Sequence, residues 1–489
     1  MFKEFPQQRT FPSFLSGNGS AIIFLCSLVF VIVFSISTLV TKPKLWTDES
    51  VSIDIARSFL MYGALSPQIA PDTFYAFPHL IQSTGYPVTV SLAAFFKLFG
   101  YGLYQARVFM LLWILAALTT LFFLGRRMFG TRQASLVLLL IVSFASFYGS
   151  GRTVVGEIPG FFFLLVGFYC VVARQHFFLA GILWGLAVVA KPSVFGLIIP
   201  TVFLTLLLER ASWRNFLKRL CLVAVGMIPA GIGWIFFVVK EPFVLETWRS
   251  IGTFYSNPYS SSIYDNVVRN LSTIFHSTTL IYFGLLFLII LFARYLIKEG
   301  RLRFVYNFTT IYTILAFLYY LRSPGWLRYV LIAELLILFL LPYSCEQLAL
   351  WVKERWSNFT VSSERMVGVF IGVLITIQFI QLFSVADIFS SDAGLPVARY
   401  VNEKFPDKSI SFLNALDVSV SVNTDKRFNT FELTGMPLFG TNTLLLPDPP
   451  DVIVSTPADR FVLEGQNILD SLYLTDTTVS GYTIYTKKK

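Results

Sequence analysis

The sequence predicts an α-helical polytopic membrane protein that ends in a small α/β domain, and three observations carry that reading. The 489 residues are 55% hydrophobic and 17% aromatic with only 13% charged, more apolar than a water-soluble core requires. Long uncharged runs recur through residues 1–384, whereas residues 385–489 turn polar and alternate strand-like with helical patterns. The formal charge of +10 falls in short Lys and Arg clusters between apolar runs, not in one basic stripe. That distribution points to membrane orientation and away from nucleic acid. Cys26, Cys170, Cys221 and Cys345 lie in or beside apolar runs without metal-ligand spacing, so neither a disulfide frame nor a zinc site is expected.

Taken in order, the run from Ala21 to Val40 is long enough to cross ~30 Å of hydrocarbon and, with no small-residue cleavage site after it, reads as an anchor. About eleven spans are expected, centred near residues 30, 114, 140, 165, 183, 200, 229, 287, 312, 336 and 375. With a cytoplasmic N-terminus, the connections "GRRMFGTR", "ARQH", "ERASWRNFLKR", "RYLIKEGRLR" and "VKERWSNFTVSSER" are cytoplasmic, and each carries Arg or Lys. The odd count then places residues 385–489 outside. There "SISFLNALDVSVSV", "DVIVSTP" and "YTIYTK" read as strands and "LPVARYVNEKFPDK" as helix or turn. The tail has no Gly-rich phosphate loop, no catalytic Ser or Cys motif and no His, so a lid or docking module is expected of it.

Two outer connections are long, about 41–102 and 240–277. "DESVSIDIARSFLMYG" sets Val51, Ile55 and Phe59 on one helical face and Asp54 and Arg57 on another, the pattern of a helix in the membrane interface. The second connection is rich in Tyr, Phe and Trp, which favour the headgroup layer.

Charges that membrane orientation does not explain remain on the outer side: Lys42, Lys44, Asp48, Glu49, Arg107, Arg152, Glu157, Lys191, Arg322 and Arg328. Ionisable groups at membrane depth pair, snorkel or face a polar cavity. Each has an ordinary reading. Asp48 and Glu49 follow Thr47 where a helix begins, and acids in a first turn gain ~0.3–1 kcal/mol from the helix dipole. Arg107 is placed to snorkel, and Arg152 and Glu157, five apart in "GRTVVGEIPG", to pair with each other. Lys191 occupies a short break between spans, where orientation alone supplies no reason for a charge. Arg328, beside Pro324 and Gly325, offers a planar fork suited to phosphate. Together these residues describe a pocket with carboxylates on one wall and cations on another. Such a pocket suits a membrane-held phosphate ester attacked by a hydroxyl that a carboxylate deprotonates.

The order of an uncharged first span, "WTDES", "SIDIARSFLMYG", "STGYPVTVSLAAFFKLFGYGLYQARVFMLLWILAALTTLFFLGRRMFG", "GRTVVGEIPGFFFLLVGFYCVVAR", "LAGILWGLAVVAKPSVFGLIIP" and "WLRYVLIAELLILFLLP" resembles the GT-C glycosyltransferases. More narrowly, it is similar to the branch of protein O-mannosyltransferases and lipid A aminoarabinose transferases, over about residues 20–345. The resemblance implies a polyprenyl-phosphate sugar donor and inverting transfer to a lipid, glycan or protein hydroxyl outside the membrane. It casts Asp48 as general base or acceptor-positioning group with Glu49 in support, and Arg107, Arg152, Glu157, Lys191 and Arg328 as the donor-phosphate and substrate site. Lys191 and Arg328 are the first choices for the phosphate. The chain departs from the family in having the single Pro87 in "TGYPV" and no large β-trefoil insert after the seventh span, which points to a bacterial or archaeal member.

Asp48, Glu49 and Glu157 would also offer oxygen ligands to Mg²⁺ or Mn²⁺, but no D-x-D spacing occurs among them, and no cofactor is expected. His79, His176 and His276 are scattered in unlike contexts. The rival function is a transporter or flippase for a lipid-linked or anionic substrate. That reading calls for inverted repeats and broken helices near the midplane, and neither repeated halves nor mid-span charges are expected here.

Overall fold

The computed structural model describes residues 17–70, 73–75, 83–239, 241–256, 262–355, 362–388, 391, 393–413, 415–422, 427–430, 449–456 and 471–488. Every one of the eleven apolar runs is helical. Among the described residues, eight helices are long and apolar enough to cross a membrane, from Gly19–Ile36 to Ser363–Ser384. A ninth span arises if Thr131–Val142 and Ala145–Gly151, bent by 67°, are counted together. The two remaining runs, near residues 183 and 200, differ from expectation. They form Phe177–Ala190 and Ile198–Leu208, of 14 and 11 residues, and at ~1.5 Å per residue these reach only about 21 and 16 Å, short of the hydrocarbon thickness. Lys191 and Pro192 interrupt what would otherwise be one longer helix. The proline cannot donate to the preceding turn.

Most of the apolar core lies inside this bundle, where Leu121, Leu138, Phe161, Phe168, Trp184, Tyr306, Leu336 and Phe339 are fully buried. The outward faces of the long helices carry exposed Ile22, Leu25, Leu112, Phe236, Leu285 and Phe292, apolar surface that a bilayer would cover.

The first long connection forms the helix Thr47–Tyr62, the short antiparallel pair Gln68–Ala70 with Thr73–Phe74, and the helix Tyr86–Phe99. The amphipathic pattern of Thr47–Tyr62 suggested one wet face, yet Asp54 and Arg57 are buried along with Val51, Ile53, Ile55 and Ala56. Arg57 donates to Gln68 Oε1 at 3.4 Å.

Residues 391–488 build a five-stranded sheet in the order Arg427–Thr430, Ile410–Leu413, Val452–Ser455, Tyr482–Lys487, Tyr473–Val479. The first two pairings are parallel and the last two antiparallel. Ile410–Leu413 and Val452–Ser455 are buried at every position, as central parallel strands covered on both faces should be. The helix Gly394–Lys404 packs Val397 and Val401 against Phe412, Val454 and Ile484. The strand expected through "SISFLNALDVSVSV" stops at Leu413, and Leu416–Ser419 forms a helical turn instead. Tertiary packing overrides the β-pattern there: Val420 enters a cluster with Leu45, Ile53, Ala56 and Leu103. Ser391 N–H also donates to Thr41 O at 3.1 Å, so the sheet domain is seated on the first long connection.

Candidate active site

The structure brings all seven predicted residues to one end of the bundle and divides them into two neighbouring groups. Asp48 and Glu49 occupy the first turn of Thr47–Tyr62. Trp46, with extended backbone and no side-chain capping bond, holds the cap position; Thr47 opens the helix and its side chain lies outside the described residues. Successive helical residues point about 100° apart, so the two acids reach different partners.

Glu49 belongs to the inner group. Arg107 donates Nε to its Oε1 at 2.9 Å and Nη2 to its Oε2 at 2.8 Å, and both side chains are fully buried. The remaining Arg107 donors go to the carbonyls of Leu39 at 2.8 Å, Val40 at 3.3 Å and Pro43 at 2.9 Å. All five guanidinium N–H groups are thereby used. Val154 N–H donates to the same carboxylate at 3.3 Å, which ties the first connection to the loop before Glu157–Arg174. Arg152 lies beside this pair, donating to Thr38 Oγ1 at 2.6 Å and facing the rings of Phe34 and Tyr148 at 5.5 and 5.9 Å. Burial, and then the charge of Arg107, pull its guanidinium down to about 10. Arg152 and Glu157 do not pair with each other, because Glu157 faces Lys191 at 3.9 Å.

The outer group is Asp48, Glu157, Lys191 and Arg328. Arg328 Nη1 donates to Asp48 Oδ2 at 2.8 Å, and Lys191 Nζ stands 4.0 Å from the same oxygen. Lys191 Nζ, Arg328 Nε and both Glu157 oxygens are buried without a hydrogen-bond partner. Buried polar atoms in that state are rare and mark places where a ligand or water completes the set. Burial works against the ionised form of Asp48, but the charges of Lys191 and Arg328, with hydrogen bonds from Arg328 and Ser83, hold its carboxyl below the usual range. Burial likewise opposes the charge on Arg328, and Asp48 and Glu157 outweigh it and keep the guanidinium above its ordinary value. Asp48 is 26% exposed and Glu157 1%. Of these two acids only Asp48 is open to solvent.

The local backbone explains how these side chains meet. The turn before Lys191 is gripped by two glycines: Gly85 N–H donates to Ala190 O at 2.9 Å. A Cβ on Gly85 would sit 1.6 Å from Val189 O, and one on Gly156 2.0 Å from Ala190 O. No side chain fits at either position, and this close approach fixes Lys191 beside Glu157, the first residue of its helix. Arg328 sits in the 3-10 turn Leu327–Tyr329, its guanidinium 4.6, 4.5 and 5.5 Å from the ring centroids of Trp46, Trp326 and Tyr329, an arrangement that adds cation–π attraction to its ion pair.

Three residues of this region escaped the sequence reading. Asn270 Nδ2 donates to the carbonyls of Tyr320, Leu321 and Ser323 at 3.1, 3.0 and 2.7 Å, and Asn266 Nδ2 to Arg322 O at 3.1 Å. They satisfy the open end of Gly300–Arg322 and so set the turn that presents Arg328. Their spacing of four on the helix Ile263–Ile274 was the available signal. Glu334, close to the centre expected for its span and buried in the first turn of Leu331–Arg355, corrects the expectation that no charge falls within a span; it was legible as a lone acid in an apolar run. It lines an apolar cavity of about 300 Å³ with Leu280, Phe283, Phe317 and Val330, two residues past Arg328. Among the described residues no group of three or more His, Cys, Asp or Glu side chains could hold a metal ion.

The spans and the sheet domain seated over the first connection make a multi-pass membrane protein, and its overall fold is the GT-C fold of the solved structures it matches. Residues 88–234 match the family model for dolichyl-phosphate-mannose-protein mannosyltransferase. Along the whole chain the structure is similar to ArnT from Cupriavidus metallidurans bound to undecaprenyl phosphate, with a TM-score of 0.64 at 14% identity, covering 96% of this chain and 98% of that one. It is also similar to the oligosaccharyltransferase AglB from Archaeoglobus fulgidus in complex with an inhibitory peptide and a dolichol-phosphate, with a TM-score of 0.56 at 10% identity, covering 98% and 75%. No curated protein matches the sequence.

Proposed function

We propose that this protein moves a sugar from a polyprenyl-phosphate donor to an acceptor hydroxyl at Asp48, on the extracytoplasmic face, with the N-terminus in the cytoplasm. The observation that carries the reading is the group Asp48–Arg328–Lys191–Glu157, in which two cations keep unused donors beside one accessible carboxylate. The apolar cavity beyond Val330 offers room for the first part of the lipid chain.

In this reading the acceptor oxygen attacks the anomeric carbon opposite the lipid phosphate, and the sugar–phosphate C–O bond breaks with its electron pair going to the phosphate. Arg328 Nε and Lys191 Nζ stabilise the charge that develops there. The acceptor proton passes to Asp48, whose partial exposure lets it return the proton to water. Phosphate is a good leaving group, so no acid is required to protonate it. Glu157 holds Lys191 in place, Glu49 and Arg107 fix the base of the loop, and the acceptor is a lipid, glycan or protein hydroxyl.

The test is transfer from a radiolabelled polyprenyl-phosphate sugar in membranes carrying the wild type or Asp48→Asn. Transfer by the wild type and at least a hundredfold less by the variant is the expected result; equal turnover by the two removes Asp48 from the reaction.

A further inference from the structure

The far end of the bundle carries a second opening. A crevice of about 1070 Å³ lies between the helices Leu103–Phe129, Glu157–Arg174 and Leu331–Arg355, with Thr131 and Glu299 at its rim. Arg107 and Arg126 stand nineteen residues apart on one helix, about 28 Å at ~1.5 Å per residue. That length is close to the ~30 Å of bilayer hydrocarbon. The crevice therefore opens at the opposite membrane surface from Asp48.

Its lining is graded along its length. Arg126 and Arg127 occupy the last turn of Leu103–Phe129, while Thr119, Phe123, Val166 and Tyr169 line the crevice back toward the bilayer interior. Phe123 is 48% and Tyr169 37% exposed, as side chains facing lipid would be. Thr119 and Arg127 are eight residues apart, about 12 Å of helix, which is a headgroup and the first part of an acyl chain in depth. Glu299 also lines the crevice, and the charge of Arg301 acts on it. Membrane orientation accounts for arginines at this end, but it requires no crevice continuing from them between the helices.

We propose that this crevice binds an anionic phospholipid of the leaflet opposite the Asp48 site, with the lipid phosphate between Arg126 and Arg127 and the upper acyl chain along Phe123, Val166 and Tyr169. Guanidinium forks match phosphate oxygens, and basic pockets between spans take anionic headgroups. The site is separate from the proposed sugar transfer and does not depend on it.

Native mass spectrometry of the detergent-released protein with graded phosphatidylglycerol or phosphatidylcholine tests the assignment. The wild type should retain phosphatidylglycerol at least fivefold better than phosphatidylcholine. R126Q/R127Q should lose that preference, and so should V166W, which fills the apolar part and keeps both arginines. Arg132→Gln, whose guanidinium pairs with Glu364 at 3.5 Å outside the crevice, should keep it. Equal retention of the two lipids by the wild type, or undiminished phosphatidylglycerol on R126Q/R127Q, would overturn the site. Loss in the arginine variant with full retention in V166W would reduce it to surface charge and overturn the crevice.

Discussion

Arg107 grips both carboxylate oxygens of Glu49 at 2.9 and 2.8 Å, with neither side chain exposed, while the adjacent Asp48 turns to Arg328. Two neighbouring acids thus do different work. Removing one partner of a buried ion pair typically costs about 3–5 kcal/mol because the other charge is stranded. Glu49→Gln and Arg107→Met should therefore lower the thermal midpoint in detergent sharply while the molecules that stay folded keep their donor affinity. Intact midpoints with lost donor binding would place the pair in the substrate site instead.

Asp48→Asn keeps shape and removes the proposed base. Its effect should fall on turnover, by a factor of about 10²–10⁴, with binding of polyprenyl phosphate retained. Glu157→Gln gives the contrast: as a buried holder of Lys191 it should weaken donor binding more than it slows the chemical step. A reversed pattern, in which Glu157→Gln abolishes turnover and Asp48→Asn does not, would move the base to Glu157.

Lys191→Gln and Arg328→Gln should each weaken binding of polyprenyl phosphate. A hydrogen bond to a charged group is worth about 1.5–3 kcal/mol, or about ten- to a hundredfold in the dissociation constant. Titration of the purified variants with that lipid measures it, and unchanged affinity in both removes them from the phosphate site.

In the proposed reaction Asp48 sets the pH behaviour. Its folded carboxyl lies below the ordinary value, near 3.9 for a free Asp, so the stability from its pairing is present above that value and is lost as pH falls through the lower folded one. The acid limb of donor-saturated turnover should accordingly fall below about pH 4. An acid limb at pH 6 to 7 would assign the proton transfer to another group.

Gly156→Ala tests the backbone clamp without touching a charged group. Its Cβ would lie 2.0 Å from Ala190 O, so the turn before Lys191 must shift. Both the thermal midpoint and the affinity for polyprenyl phosphate should drop, whereas Gly231→Ala, whose Cβ would meet nothing within 4 Å, should change neither.

Apolar run length and charge placement alone located the long membrane helices, because burial in lipid demands long uncharged segments whatever their neighbours are, but they also counted the short runs near 183 and 200 as spans. The same arithmetic selected Asp48, Lys191 and Arg328, whose charges had no use in membrane orientation. Sequence spacing failed where partners come from distant segments. It offered Arg152 to Glu157, but the fold gives Arg152 to Thr38 and Glu157 to Lys191. The loss of Arg107 to Glu49, the seating of Val420 on the first connection and the Asn270 bonds that aim Arg328 were likewise decided in three dimensions. Adjacent acids look equivalent along a chain. A rotation of about 100° between helical neighbours buries one against Arg107 and leaves the other facing the pocket.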